Sequence, residues 1–524
     1  AFALRMQNGG DANVYNIGIG YGAGSSMTSG TLNTIIGGNA GDSLTTGSYN
    51  LAIGYEALST EDGNGSTTAI GYRALKNQNA GAETYNVAVG HDAGMSVTTG
   101  VQNAIIGGLA GDALTTGASN IAIGYLALST EDAGSGNVAV GHSALKDQDA
   151  GDAFNTAVGY HAGKTITTGT GNTLIGGSAG DALTTGFENV AIGKNALGGD
   201  VDGTENIAIG RSAMSSTTNS RASIAIGYNA LQNLNYGSLT YTHNIGIGFS
   251  AGASITSGTR NTIIGGLSGD ALTTGYYNTA LGYQALSASV SGRNAVAIGY
   301  QALMNENSTN TETYNVAVGY TAGSQISTGK LNVLIGGLAG DALTTGSNNV
   351  AIGYAALSTE NAHGKNIAIG ASALLSLDAG ADAYNIAIGD QAGKMLSTGT
   401  TNTLIGGLAG DAITTGTANV ALGYGALSAE DAHGHNVAIG YHALVAQNAG
   451  ANAYNVAIGS AAGSSVSTGL QNTLIGGLAG DALTTGSENI AIGHNALGTE
   501  DTGAKSVAIG RKALFAQNFD GDAY

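Results

Sequence analysis

Asn489-Ile490-Ala491-Ile492-Gly493-His494-Asn495-Ala496-Leu497 is the stretch on which the reading of this chain turns. Its first five residues recur, with drift, along nearly all of the 524 residues. Counted from the Asn, copies start at 16, 33, 50, 67, 86 and 103 and continue to 472, 489 and 506, 29 units in all. The spacing is 17 residues except where one to four are inserted. A fixed short period over a whole chain marks a solenoid, in which each repeat is one coil packed only on its neighbours. The period predicts an all-β, parallel β-solenoid, with a partial coil over 1–15 and one continuous repeat domain over 16–524.

With the Asn as position 1, position 5 is Gly in every unit (Gly20, Gly37, Gly54 through Gly510), which points to a backbone that a Cβ would obstruct. Position 4 is always Ile, Val or Leu, and position 2 is mostly aliphatic or Thr. On a strand of period two these share a face, and their bulk predicts that they line the interior. Position 3 would then point outward. It is small or apolar in nearly every unit, as at Ala88, Ile105, Ala122 and Ala139, so an apolar stripe would run along the outside, too large for a soluble monomer to leave bare. Position 8 is Ala except at Ser268, which predicts a tight inward corner. The Asn residues are expected to stack and to hydrogen-bond from coil to coil.

Units follow a four-beat cycle of about 70 residues, read from the rows; the cycle over 155–243 carries a fifth unit at Ser223. Beats one and two have Gly at position 9 and an apolar residue at position 12, as in Gly94 with Val97 and Gly111 with Leu114. Beats three and four mostly reverse this, as in Leu128 with Glu131 and Leu145 with Gln148. Such a volume swap is what close packing of a narrow interior requires. Added residues cluster at the end of beat four (76–85, 146–154, 232–243, 304–314, 375–384 and 445–454), which places surface loops on one edge.

Composition narrows the function. Gly is 89 residues, while Pro, Cys and Trp are absent. A Pro would delete an N–H needed by the ladder between coils. Without Cys there is no thiol chemistry and no disulfide. A formal charge of −19 argues against nucleic acid, which seeks a basic face. No apolar run approaches the roughly 20 residues of a membrane span. No Ser/His/Asp set or facing carboxylate pair breaks the repeat: Glu131-Asp132 reads as an exposed turn, and Gly18-Ile19-Gly20 opens no helix. The chain is therefore expected to be neither an enzyme nor a cofactor carrier.

Four features of the repeat invite a ligand reading. Gly-Gly-Leu-Ala-Gly-Asp-Ala-Leu at 107–114 half-matches a calcium nonapeptide, which makes Asp112, Asp181, Asp341 and Asp481 calcium candidates, but even Asp112 and Asp181 lie about four coils apart. Thr-Thr-Gly at 45–47 and 115–117 suggests an ice-binding array, yet beats three and four put other residues there. His433, His435 and His442 form a trio that no other cycle repeats, and a solvated corner accounts for it. Tyr85, Tyr314, Tyr384 and Tyr454, at the beat-four loops, form a candidate edge for stacking on a sugar or receptor.

The run Asn436-Val437-Ala438-Ile439-Gly440-Tyr441-His442-Ala443-Leu444 resembles the head repeats of YadA-type trimeric autotransporter adhesins and related bacteriophage tail-fibre repeats. The likeness extends over all 29 units, although the repeat is longer here and residues 1–524 contain no heptad stretch. It implies a left-handed β-roll, three chains around one axis, with Val437 and Ile439 lining the coil and Ala438 touching a neighbouring chain. It also implies an extracellular, cell-surface or virion fibre. The expectation is a structural fibre or filament subunit that associates with itself laterally as a trimer. The alternatives are a receptor- or glycan-binding adhesin head and an ice- or calcium-binding solenoid. Because Tyr524 leads in register toward a residue like Asn16, two expectations stand: the chain is a window on a longer repeat protein, or subunits stack end to end, the second being favoured.

Overall fold

The computed structural model describes residues 2–8 and 13–517. Of the expected partial coil over 1–15, residues 1 and 9–12 lie outside the described set, as does Tyr524. The chain divides into two compact units, Ala1–Arg260 and Asn261–Tyr524. Each is a parallel β-solenoid. No helix occurs among the described residues. Within each unit every coil contributes one three-residue strand, such as Ala104–Ile106, Ile121–Ile123 and Val138–Val140, joined in register to the next. A small second sheet pairs Thr218–Arg221, at the end of the fourth coil of the longer cycle, with Asn235–Tyr241, at the end of its fifth.

Hydrogen bonds run from coil to coil around the turn as well as along the strand. Thr34 N–H donates to Asn50 C=O at 2.9 Å, Gly54 N–H to Ile36 C=O at 2.8 Å, and Leu58 N–H to Ala74 C=O at 3.0 Å. Donors are thus used on several sides of each coil, which accounts for the lack of Pro. The Asn row forms as expected. Asn172 Nδ2 donates to the C=O of Gly186 at 2.9 Å, and its Oδ1 accepts the backbone N–H of Asn189 at 3.0 Å. Most of the Asn residues repeat this pattern, closing their own coil and capping the next, as at Asn103 and Asn472.

Position 5 explains its glycine. Gly54 has φ +134°, and a Cβ there would stand 2.2 Å from the carbonyl oxygen of Gly71 in the following coil. Both the left-handed backbone and the close approach exclude a side chain.

The facing of the strand is the reverse of that expected. The middle residue, position 3, is buried in every coil after the first, and positions 2 and 4 never are. Ala88, Ile105, Ala122, Ala139 and Ala438 are sealed inside their own coils and cannot form an interface between chains. Val437 and Ile439 face outward instead. The reason is the narrowness of the coil. Its interior holds the corner leucines plus the small Ala of position 8, and leaves the strand room for little more than a methyl group. Where position 9 is Gly, position 3 can grow. Ile105 fills the space over Gly111, whose Cβ would lie 3.5 Å from Ile105 Cδ1. A Cβ on Gly94 would meet Ile105 Cδ1 at 2.9 Å and Leu75 Cδ2 at 3.0 Å, so coils above and below fill that gap. Position 9 does exchange volume, but with position 3 and not with position 12, which is filled and buried in all four beats, as at Val97, Leu114, Glu131 and Gln148.

Candidate functional site

Outward-facing positions 2 and 4 build the feature that most needs a function. Position 4 is aliphatic in all 29 coils and is never buried, as at Ile106 (39%), Ile175 (39%), Ile335 (38%) and Leu422 (42%). In each unit it forms an unbroken file of Ile, Val and Leu. Position 2 adds a parallel file of Val, Ile, Leu and Thr, with Ala only at Ala104.

Beside these files runs a row that the sequence reading passed over. Position 6 is often Tyr or His, and neighbouring rings stack: Tyr55 on Tyr72 at 5.6 Å, Tyr72 on His91 at 4.9 Å, and Tyr283, Tyr300 and Tyr320 in succession at 5.8 and 5.3 Å. The signal was present as aromatic residues 17 to 20 apart, immediately after the invariant Gly.

The four tyrosines at the loops are exposed, as expected, but each is engaged. Tyr85 and Tyr314 donate their hydroxyls to Glu83 and Glu312, the latter at 2.6 Å. Tyr384 accepts from Lys365 Nζ at 2.8 Å, and Tyr454 stacks on His435 at 4.9 Å. In the second unit Tyr314, Tyr384 and Tyr454 recur every 70 residues, so each offers a single ring rather than a continuous platform.

The calcium candidates do not come together. Burial raises the carboxyl pKa of Asp112, Asp181, Asp341 and Asp481. Among the described residues, none of the four belongs to a convergent group of metal-ligating side chains. The groups that do converge are Glu131 with Asp132 and Asp149, Glu360 with His363 and Asp378, and Glu430 with Asp431 and His433. The histidine trio also separates: His435 lies against Tyr454, and His442 against Tyr424 and Tyr441.

Position 12 of beats three and four corrects a second reading. Glu131 is not part of an exposed turn: it is fully buried, and only Asp132 faces water. Its side chain curls inward because the turn leaves an N–H to cap. Oε1 accepts from Gly134 N–H at 2.7 Å, and Oε2 accepts from Gln148 Nε2 at 3.0 Å. Asp200 plays the same part, accepting from Gly203 and Asn219 N–H and from Ser220 Oγ, each at 3.0 Å; burial pushes its pKa up to about 6.

No model of a known protein family matches the sequence, and no curated protein matches it significantly. Among the described residues, no helix is long and apolar enough to cross a membrane.

Proposed function

We propose that the chain is a structural subunit that associates with itself laterally, a fibre or filament component of a cell or virion surface. The observation that carries this reading is the outward aliphatic face. In the second unit it runs over 15 coils. At about 4.8 Å per coil and about 10 Å for a three-residue strand, that is ~700 Å². Two such faces pressed together remove ~1,400 Å² from water, within the range of a stable protein–protein interface. A second copy presenting the same face satisfies it by two-fold symmetry. Lateral contact thus rests on positions 2 and 4, with the aromatic row at its margin. The surface location rests on the likeness to YadA-type head repeats.

Sedimentation velocity across a wide concentration range tests the proposal. The wild-type chain should associate. A variant carrying Ile352→Lys, Ile369→Lys and Ile388→Lys should sediment as a smaller species with an unchanged β-type circular dichroism spectrum. A wild-type chain that stays monomeric, or a triple variant that associates equally well, would refute it.

A further inference from the structure

Two buried carboxylates in the second unit lack the company that their counterparts keep. Glu430 is fully buried; its Oε1 accepts the N–H of His433 at 3.1 Å, while Oε2 has no hydrogen-bond partner. Gln447, which matches Gln148 by position, leaves that oxygen unpaired, and its own Nε2 is also unpartnered. His433 Nδ1 is buried without a hydrogen bond and lies 3.5 Å from Glu430 Oε1. One cycle earlier the arrangement recurs. Glu360 is fully buried, its Oε1 accepts His363 N–H at 3.1 Å, and its Oε2 takes only a long 3.3 Å contact from Ala379 N–H. His363 Nδ1 is likewise unpartnered, 3.4 Å from Glu360 Oε1. A third oxygen ligand stands within 4.8 Å in each case: Asp431 from the same turn, or Asp378 from the following coil.

The separation of nitrogen and oxygen is informative. At 3.4 and 3.5 Å it is long for a charge-assisted hydrogen bond, usually about 2.7–2.9 Å. It is close to the edge of a tetrahedron whose centre lies about 2.0–2.1 Å from each corner, which is about 3.3–3.4 Å. Two carboxylates and a neutral imidazole supply the charge and the mixed oxygen–nitrogen donors that such an ion takes. By contrast Glu131, with Gly134 in place of the histidine, has both oxygens satisfied by protein donors.

We propose that Glu430, Asp431 and His433, and likewise Glu360, Asp378 and His363, each bind a divalent transition-metal cation of the zinc type. The remaining position is open to water on the half-exposed histidine side. The second site takes ligands from two successive coils, so its ion would staple them. This goes beyond lateral association and is independent of it.

Equilibrium dialysis of the full chain against zinc chloride, after removal of metal with a chelator, tests the assignment. The wild type should hold two equivalents, His433→Ala and His363→Ala one each, and the double variant none. His435→Ala and His442→Ala should keep both. Cobalt(II) should give the strong visible bands of a four-coordinate site in the wild type and lose them in the double variant, whose circular dichroism shows whether it is folded. A wild type that takes up no zinc, or a double variant that keeps both equivalents, would overturn the proposal.

Discussion

Replacing Asn172 by Ala removes one rung from the Asn row in the middle of the first unit. The side chain is almost fully buried. Nδ2 donates to Gly186 C=O at 2.9 Å and to Asn155 Oδ1 at 3.2 Å; Oδ1 accepts from Asn189 N–H at 3.0 Å and from Asn189 Nδ2 at 3.0 Å. Ala leaves the Gly186 carbonyl and the Asn189 backbone N–H buried without these partners. Each such loss costs about 1–3 kcal/mol, so the coil should lose about 2–6 kcal/mol. Because coils of a solenoid hold mainly to their neighbours, the loss should appear as local opening rather than as one global transition. Native-state hydrogen exchange reads it directly. Amides over 155–205 should exchange at least ~30-fold faster, the factor corresponding to ~2 kcal/mol, while those beyond 300 stay unchanged. Protection over 155–205 that is unaltered would show that the row is not a structural tie.

Further outcomes follow from the same packing. Gly299→Ala drives a Cβ to within 2.2 Å of Gly319 O at φ +134°, and local stability there should fall by at least ~3 kcal/mol in the same exchange experiment. Gly111→Leu should cost about 1–3 kcal/mol through overpacking against Ile105, and Ile105→Ala in the same chain should recover most of it, read as a double-mutant cycle. Asp200 binds its proton more tightly when folded, so its contribution is full below the ordinary carboxylate pKa of 3.8 and is lost as pH rises through about 6. That amounts to ~3 kcal/mol of local stability, and Asp200→Asn should flatten the dependence of exchange protection between pH 4 and pH 7.

The period, the Gly of position 5, the Asn row and the Ala corner were legible because each depends on one residue type at one spacing. The facing of the strand was not. Bulk suggested that Ile121 and Ile123 go inward and Ala122 outward, whereas the coil is too narrow for both isoleucines. A clue was present: position 3 enlarges to Ile105 or Leu174 where position 9 is Gly111 or Gly180, and only residues sharing an interior need exchange volume. Glu131 was misread because an acidic residue beside Asp132 looks solvated in one dimension. Its burial depends on Gln148, one coil away, donating to it. His433 was grouped with His435 and His442 by sequence proximity, but its partner is Glu430, three residues before it, as His363 lies three after Glu360.

The most direct test of the account is cysteine accessibility across one strand, since the chain has no native cysteine. Single variants Ile121→Cys, Ala122→Cys and Ile123→Cys are treated with a small thiol reagent under dilute and concentrated conditions. The account predicts that residue 122 stays unreactive throughout, while 121 and 123 react in the dilute chain and become protected as it associates. Rapid labelling at 122 with protection at 121 and 123 in the dilute chain would contradict the facing of the strand; 121 and 123 reacting equally at every concentration would contradict the interface.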